Sequence, residues 1–498
     1  MGASGQSGDE GPPTRHRPVT FAEALVPVVA LILLVALSYF LFGDAGAKGP
    51  NQIALVLAGM VALIIGRRAG YTLTELSEAA NASVATGIGA IFILFAVGAL
   101  IGAWALSGTL LAMVYYGLQL LSPSYFYVSA TLACAVISAA IGSSWTVAGT
   151  VGIGLMGIST SMGLDPGITA AAVISGAYFG DTTSPLSDSA NLAAGSAGAN
   201  LYAHLRETLP TSFVALVLAL VIFWMLGERG HYDGPAEMQA ISEVVHISPW
   251  LFLPLLVVVV LAAMKVTPFT TIICGALAGG VLAVIVSPDR VAAFADGEGL
   301  PRFLMLIKGV WLALASGYVS TTGDAAIDAI ATRGGMESML STIWLIIAAF
   351  AFGGVVDRIG VLDRLIAPVV TLARSGGALV AALVGSVVAT NILTADQYLS
   401  IVLPGRMFKT AIAQRGLAPV VLSRSIGASG TPTSALVPWN SCGAYMAATL
   451  GVATWDYLPY AVFNFASPLL VILAATLGLR MLKAPPAPAA LDGAAGRG

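Results

Sequence analysis

From Ala79 to Leu164 the chain runs 86 residues without one Asp, Glu, Lys, Arg or His. A helical bilayer crossing takes roughly 20 apolar residues, so this run holds about three or four crossings. No soluble core has such a stretch. Charge-free windows recur at Ala24–Phe42, Thr208–Gly227, Ile247–Met264, Val266–Pro288, Ser338–Val356, Ser375–Ala395 and Tyr457–Leu479. In lipid the backbone must satisfy its own polar groups, which makes long apolar windows helices. A β-barrel would instead show short alternating segments. The sequence predicts an all-α polytopic membrane protein with roughly 10–13 transmembrane segments, several of them broken. Only 9% of the residues are charged, against about 25% in ordinary soluble domains.

The remaining composition narrows little else. Cys134, Cys274 and Cys442 stand alone, without a CxxC, and read as small packing residues. His16, His204, His231 and His246 fall near ends or loops, so no histidine metal centre is expected. No cofactor and no nucleic-acid partner are expected. The expected partners are the lipid bilayer and small cations, and an oligomer is left open. The polar start leads into a 19-residue apolar window, Ala24–Phe42, longer than a cleavable signal requires, so it reads as retained.

The expected organisation is a disordered cytoplasmic N-terminus (1–20), a first transmembrane repeat (21–227), a hydrophilic connecting loop (228–246), a second repeat (247–480) and a disordered tail (481–498). Arg15, Arg17, Arg67, Arg68, Arg480 and Lys483 mark the cytoplasmic side of an inner-membrane protein, and the acidic central loop faces out. That arrangement needs an odd number of crossings in the first half and predicts two inverted repeats. Three landmarks recur in order. Phe95–Gly98 matches Phe350–Gly353, Ser143–Thr146 precedes Leu393–Asp396 by 250 positions, and Gly180–Asn191 aligns with Gly430–Ser441 at the same offset. Inverted repeats with interrupted helices belong to secondary transporters, whose ion sites lie where the repeats meet.

The densest polar cluster is GAYFGDTTSPLSDSAN, residues 176–191. Pro185 breaks or kinks a helix there, and such breaks expose oxygens that coordinate ions. Carboxylate, hydroxyl and carbonyl oxygens suit sodium as they suit other hard cations. An Asp at a helix centre costs about 3 kcal/mol on insertion scales and marks function. Burial also favours a neutral carboxyl group, so one Asp can hold either a proton or a transported sodium ion. Asp181 and Asp188 are the candidate sodium ligands, with Thr183, Ser184, Ser187 and Asn191 beside them; capping a helix is the bland role for Asp188. Ser143, Ser144 and Thr146 form a second patch, Thr394 and Asp396 a third, and Thr431, Thr433 and Asn440 a fourth, broken by Pro432 and Pro438. Hydroxyls at such depth can also simply bond the preceding helical turn.

These stretches resemble the NhaC-type sodium/proton antiporter family. The resemblance spans roughly residues 20–480 and is carried by GSSWTVAGTVGIGLMGI (142–158), SGAYFGDTTSPLSDSANLAA (175–194), TADQYLSIVLPGRMF (394–408), the segment 316–339 and the segment 422–452. It implies a multipass exchanger driven by ion gradients, some of whose relatives exchange malate for lactate. Two departures stand out. Thr182 follows the first Asp where the family commonly has Lys or another polar residue, and Gly427 and Ala428 stand where it commonly has an acidic pair.

The expected function is exchange of sodium, or lithium, for protons; the chief alternative is a proton- or sodium-coupled exchanger of an organic anion or an amino acid. That rival calls for buried Arg near the cluster, and the deep segments read as lacking it. An enzyme is not expected. Gly427–Gly430 spells GxSG, but serine chemistry needs a nearby base, and no later span carries a deep His. A passive channel would conduct without proton coupling.

Overall fold

The computed structural model describes residues 16–43, 46, 49–227, 234–297 and 299–484. Most of the expected disordered tails, 1–15 and 485–498, and the start of the connecting loop lie outside them.

Helices begin where the sequence caps them. α1 (Phe21–Phe42) opens on Thr20 and α3 (Leu73–Thr86) on Thr72, each in a capping box with the glutamate three residues on, Glu23 and Glu75. Between them α2 (Pro50–Arg68) opens on a proline. α4 (Ile88–Ser107) ends at Gly108, in the left-handed conformation, and α5 (Thr109–Leu120) follows at once. α6 (Phe126–Ile141) stops at Gly142. A short α7 (Ser144–Val147), a π-helical turn (Ala148–Gly152) and α8 (Ile153–Ser161) come next. The first half closes with α9 (Pro166–Thr183), α10 (Asp188–Ala197) and α11 (Leu201–Met225). The segment expected as a connecting loop is helical over α12 (Gly234–Val244).

The second half opens with α13 (Leu253–Ala263), α14 (Pro268–Val286), α15 (Pro288–Ala295), α16 (Arg302–Ala315) and α17 (Ala325–Ala331). Then come α18 (Leu340–Arg358), α19 (Val361–Leu372), α20 (Gly376–Thr394) and α21 (Gln397–Gln414). It closes with α22 (Pro419–Ser434), α23 (Ser441–Leu450), α24 (Thr454–Tyr457) and α25 (Val462–Thr476). Among the described residues there is no strand, only two isolated bridges.

Eight of these helices are long and apolar enough to cross a membrane, and ten if each of two bent pairs counts as one span. Their outward faces carry large apolar side chains, such as Phe40 at 86% exposure and Ile285 at 71%. Apolar surface on that scale is stable only against lipid or a partner.

Several helix ends and interhelical bonds recur between the two halves at one spacing. Pro419 opens α22 as Pro166 opens α9, 253 positions earlier. The same spacing links Gly142 with Ala395, Ser187 with Asn440, and Gly198 with Gly451, all at matching helix ends. It also links hydrogen bonds: Ser138 Oγ donates to the Ala177 carbonyl as Asn391 Nδ2 donates to that of Gly430. The register is therefore three residues away from the offset of 250 read from the sequence. A composition dominated by Gly, Ala and Ser tolerates such a slip, whereas helix caps and interhelical bonds do not. The halves also interlock. α4 packs on α14 and α16, while its counterpart α18 packs on α2 and α3.

Candidate functional site

The site forms where helices break. α6 ends with Gly142 at φ +81°, and a Cβ there would fall 2.6 Å from the Leu186 carbonyl carbon. Only glycine meets both demands. The close approach brings the start of α7 against the link between α9 and α10. That link exists because the last turn of α9 runs into Pro185, which cannot continue a helical ladder.

Asp181 lies in the last turn of α9, 7% exposed. Its Oδ2 accepts from Ser144 Oγ at 2.7 Å, and its Oδ1 accepts from Ser187 Oγ at 2.6 Å and Ser189 Oγ at 2.8 Å. Hydroxyls from two separate segments, the start of α7 and the start of α10, thus converge on one carboxylate. A hydroxyl that gives its single proton to Asp181 keeps acceptor lone pairs that could face a cation, although Ser187 Oγ already accepts from the Ala190 amide.

This cage forms part of the wall of a cavity of about 280 Å³. Asp188, Ser143 and Trp145 share the wall from the first half, and Asp396, Gln397, Tyr398, Ser441 and Cys442 from the second. Three carboxylates and no Lys, Arg or His line it. Carboxyl groups gathered round one cavity require compensating positive charge, which protons or metal cations can supply.

In the second half the counterpart of the Asp181–Ser144 pair is neutral. Ser434 stands 253 positions after Asp181, and Gln397 the same distance after Ser144. Ser434 Oγ donates to Gln397 Oε1 at 2.9 Å, and Cys442 Sγ donates to the same oxygen at 3.0 Å. The cap positions also correspond: Ser143 Oγ accepts from the Thr146 amide, and Asp396 Oδ1 from the Leu399 amide.

The other candidates fall into place around this frame. Asp188 is exposed on the cavity wall; the cap of α10 is Ser187, whose Oγ also accepts from the Ala190 amide at 3.2 Å. Thr183, Thr394 and Thr433 donate to the carbonyls of Phe179, Thr390 and Ser429, one turn back in their own helices. Thr146 donates to Ser143 Oγ, and Ser184 Oγ accepts from the Leu186 amide. Asn440 caps α23 and reaches Asn391 Oδ1 at 3.1 Å. Asn191 bonds the Ser187 carbonyl, and Thr431 is buried. None of these eight lines the cavity. Trp145, Ser189, Gln397, Tyr398, Ser441 and Cys442 do line it.

The acidic pair that the chain lacks has a packing counterpart. A Cβ on Gly427 would fall 2.9 Å from His204 Cε1, so the imidazole, itself 1% exposed, fills that space. Three positions earlier, Arg424 is wholly buried, contrary to the expectation that the deep segments lack arginine. It does not line the cavity.

The profile of the Na+/H+ antiporter family matches residues 176–479, which include Asp181, Ser187 and Ser189 and the second half as far as residue 479. The Na+/H+ antiporter NhaC of Alkalihalophilus pseudofirmus is 36% identical over 92% of this chain and 96% of its own length. The chain belongs to the NhaC-type Na+/H+ antiporter family. Other relatives bear other cargo names. The arginine/ornithine antiporter ArcD of Halobacterium salinarum is 32% identical over 93% of both chains. The malate-2H+/Na+-lactate antiporter of Bacillus subtilis is 31% identical over 90% of this chain and 93% of its own. For a NhaC-type antiporter the caged carboxylate and the broken helices around it are the features through which an ion could act.

Proposed function

We propose that this antiporter exchanges sodium, or lithium, for protons, with cation and proton competing for Asp181 and its neighbours Asp188 and Asp396. The observation that carries the reading is the Asp181 carboxylate held by three serine hydroxyls on the wall of a cavity with three Asp and no basic residue. A hard cation would replace the hydroxyl protons as the charge partner and take oxygens from Asp181, Ser144, Ser187 and Ser189. A proton would neutralise the same carboxylate and release the cation. The positions of Arg67, Arg68 and Arg480 favour an inner-membrane protein with a cytoplasmic N-terminus. No resident cofactor is needed for this chemistry.

A second reading is exchange of a small organic anion or amino acid. The volume of about 280 Å³ favours it, because a bare sodium ion needs far less room. The acidic wall weighs against an anion.

The test uses everted vesicles carrying an imposed pH gradient. Sodium or lithium should collapse the gradient. Failure with both cations, together with collapse by malate, lactate or an amino acid, would overturn the sodium assignment.

A further inference from the structure

A second cavity, of about 300 Å³, meets the same three elements as the site cavity. Along α4 the site cavity touches Gly87 through Ile93, and the second cavity touches Ile101. Along the chain from α7 through the π turn, the first takes Gly142 to Trp145 and the second takes Ile153. Along α23 the first takes Ser441 and Cys442, and the second takes Ala448 and Thr449. At 1.5 Å per helical residue the two lie roughly 10–12 Å apart. Three elements therefore run side by side from one cavity to the other.

Between the two along α23 stands a stacked aromatic pair. Tyr445, on α23, is wholly buried. It stacks on Trp145 with centroids 4.0 Å apart and planes at 12°, and its Oη donates to the Trp145 carbonyl at 2.8 Å. A Cβ on Gly149 would fall 2.6 Å from Tyr445 Oη and 3.2 Å from Val97 Cγ2. The middles of α4, the π turn and α23 thus close on the same point. The π turn itself breaks the regular ladder, a feature common where helices must rearrange.

The second cavity reaches the surface, since Ser338 and Gly451 on its wall are exposed. Its wall carries Arg333 and no Asp or Glu. Its charge is thus opposite to that of the site cavity.

We infer that the Arg333 cavity is the second mouth of the transport path, and that Tyr445 stacked on Trp145 is the barrier between the two mouths. The inference rests on the transporter reading but not on the identity of the cargo. A fixed guanidinium makes the second mouth a poor resting place for a cation, so the cation is held at the carboxylate end and leaves freely once past the ring.

The test is sided labelling with small membrane-impermeant thiosulfonates in right-side-out and everted vesicles. The background replaces Cys134, Cys274 and Cys442 with Ala or Ser. Ser143→Cys reports on the site cavity and Ala448→Cys on the second. The two should be labelled from opposite sides of the membrane. Adding Tyr445→Ala should make each reachable from both sides, while Tyr445→Phe, which keeps the ring, should preserve the separation. Labelling of both positions from the same side, or failure of either to react from any side, would overturn the inference whatever the fate of the Tyr445 variants. An unchanged pattern in a well-inserted Tyr445→Ala would overturn the role of the ring. The readout involves no transport, so a failed sodium assignment leaves it intact.

Discussion

Asp181 and Ser434 occupy equivalent places in the two halves, yet one sits in a cage of hydroxyls donating to a charge and the other donates to an amide. Ser144 gives its proton to Asp181, whereas the residue equivalent to Ser144 is Gln397, which accepts from Ser434. Helix ends and interhelical bonds recur at the 253-position spacing, and the chemistry does not. Helix breaks from both halves meet at one cavity. Placing the caged carboxylate on one side concentrates the ion chemistry there and leaves the other wall to shape the cavity. Asp396 qualifies this contrast, because it returns one carboxylate to the second half at the position where the first has Ser143.

The asymmetry can be broken at its strongest point first. Asp181→Asn removes a charge that three hydroxyls are arranged to serve, and should lower sodium-driven collapse of a pH gradient by about 100-fold or more. Ser434→Ala removes only a neutral bond, worth about 1 kcal/mol, and should lower it about fivefold or less. Equal losses in well-inserted variants would mean that the halves contribute alike. Asp396→Asn should fall between, near tenfold in apparent sodium affinity. Asn caps a helix about as well as Asp, so that change isolates the charge from the fold. Ser189→Ala, which removes one of three donors to Asp181, should weaken apparent sodium affinity by about 3- to 10-fold in the same assay.

The smallest expected effects compare backbones. Gly142 and Ala395 both adopt the left-handed conformation, at φ +81° and +57°. Ala395→Gly should stabilise the detergent-solubilised protein by about 1 kcal/mol, read as a higher melting temperature. Gly142→Ala should destabilise it by more, because its Cβ also meets the Leu186 backbone. A lower melting temperature for Ala395→Gly would contradict this account of the strained turn.

Much of this architecture was legible in the sequence. The uncharged run from Ala79 to Leu164 announced membrane helices, and Pro185 announced the break beside Asp181. Of the five stretches that carried the resemblance, four contribute to the cavity wall and one, 316–339, does not. The rest depends on contacts between distant segments. Hydroxyl residues look alike in sequence whether they face a cavity, as Ser144 does, or bond their own helix, as Thr183 does. The repeat register was hidden by small residues that match at several offsets. Gln397 stands in the polar patch with Thr394 and Asp396 that the sequence offers, whereas Cys442 read as a packing residue until the cavity wall included it. Arg424 was hidden because nothing in its neighbours distinguishes a buried helical arginine from one at an interface.

The most direct test of the account is a sodium-binding isotherm of the purified protein, wild type against Asp181→Asn, taken at several pH values. Wild type should bind sodium less tightly as pH falls, because protons compete for the caged carboxylate, and Asp181→Asn should show no such binding at any pH. Sodium binding that survives Asp181→Asn with wild-type affinity and pH dependence would contradict it.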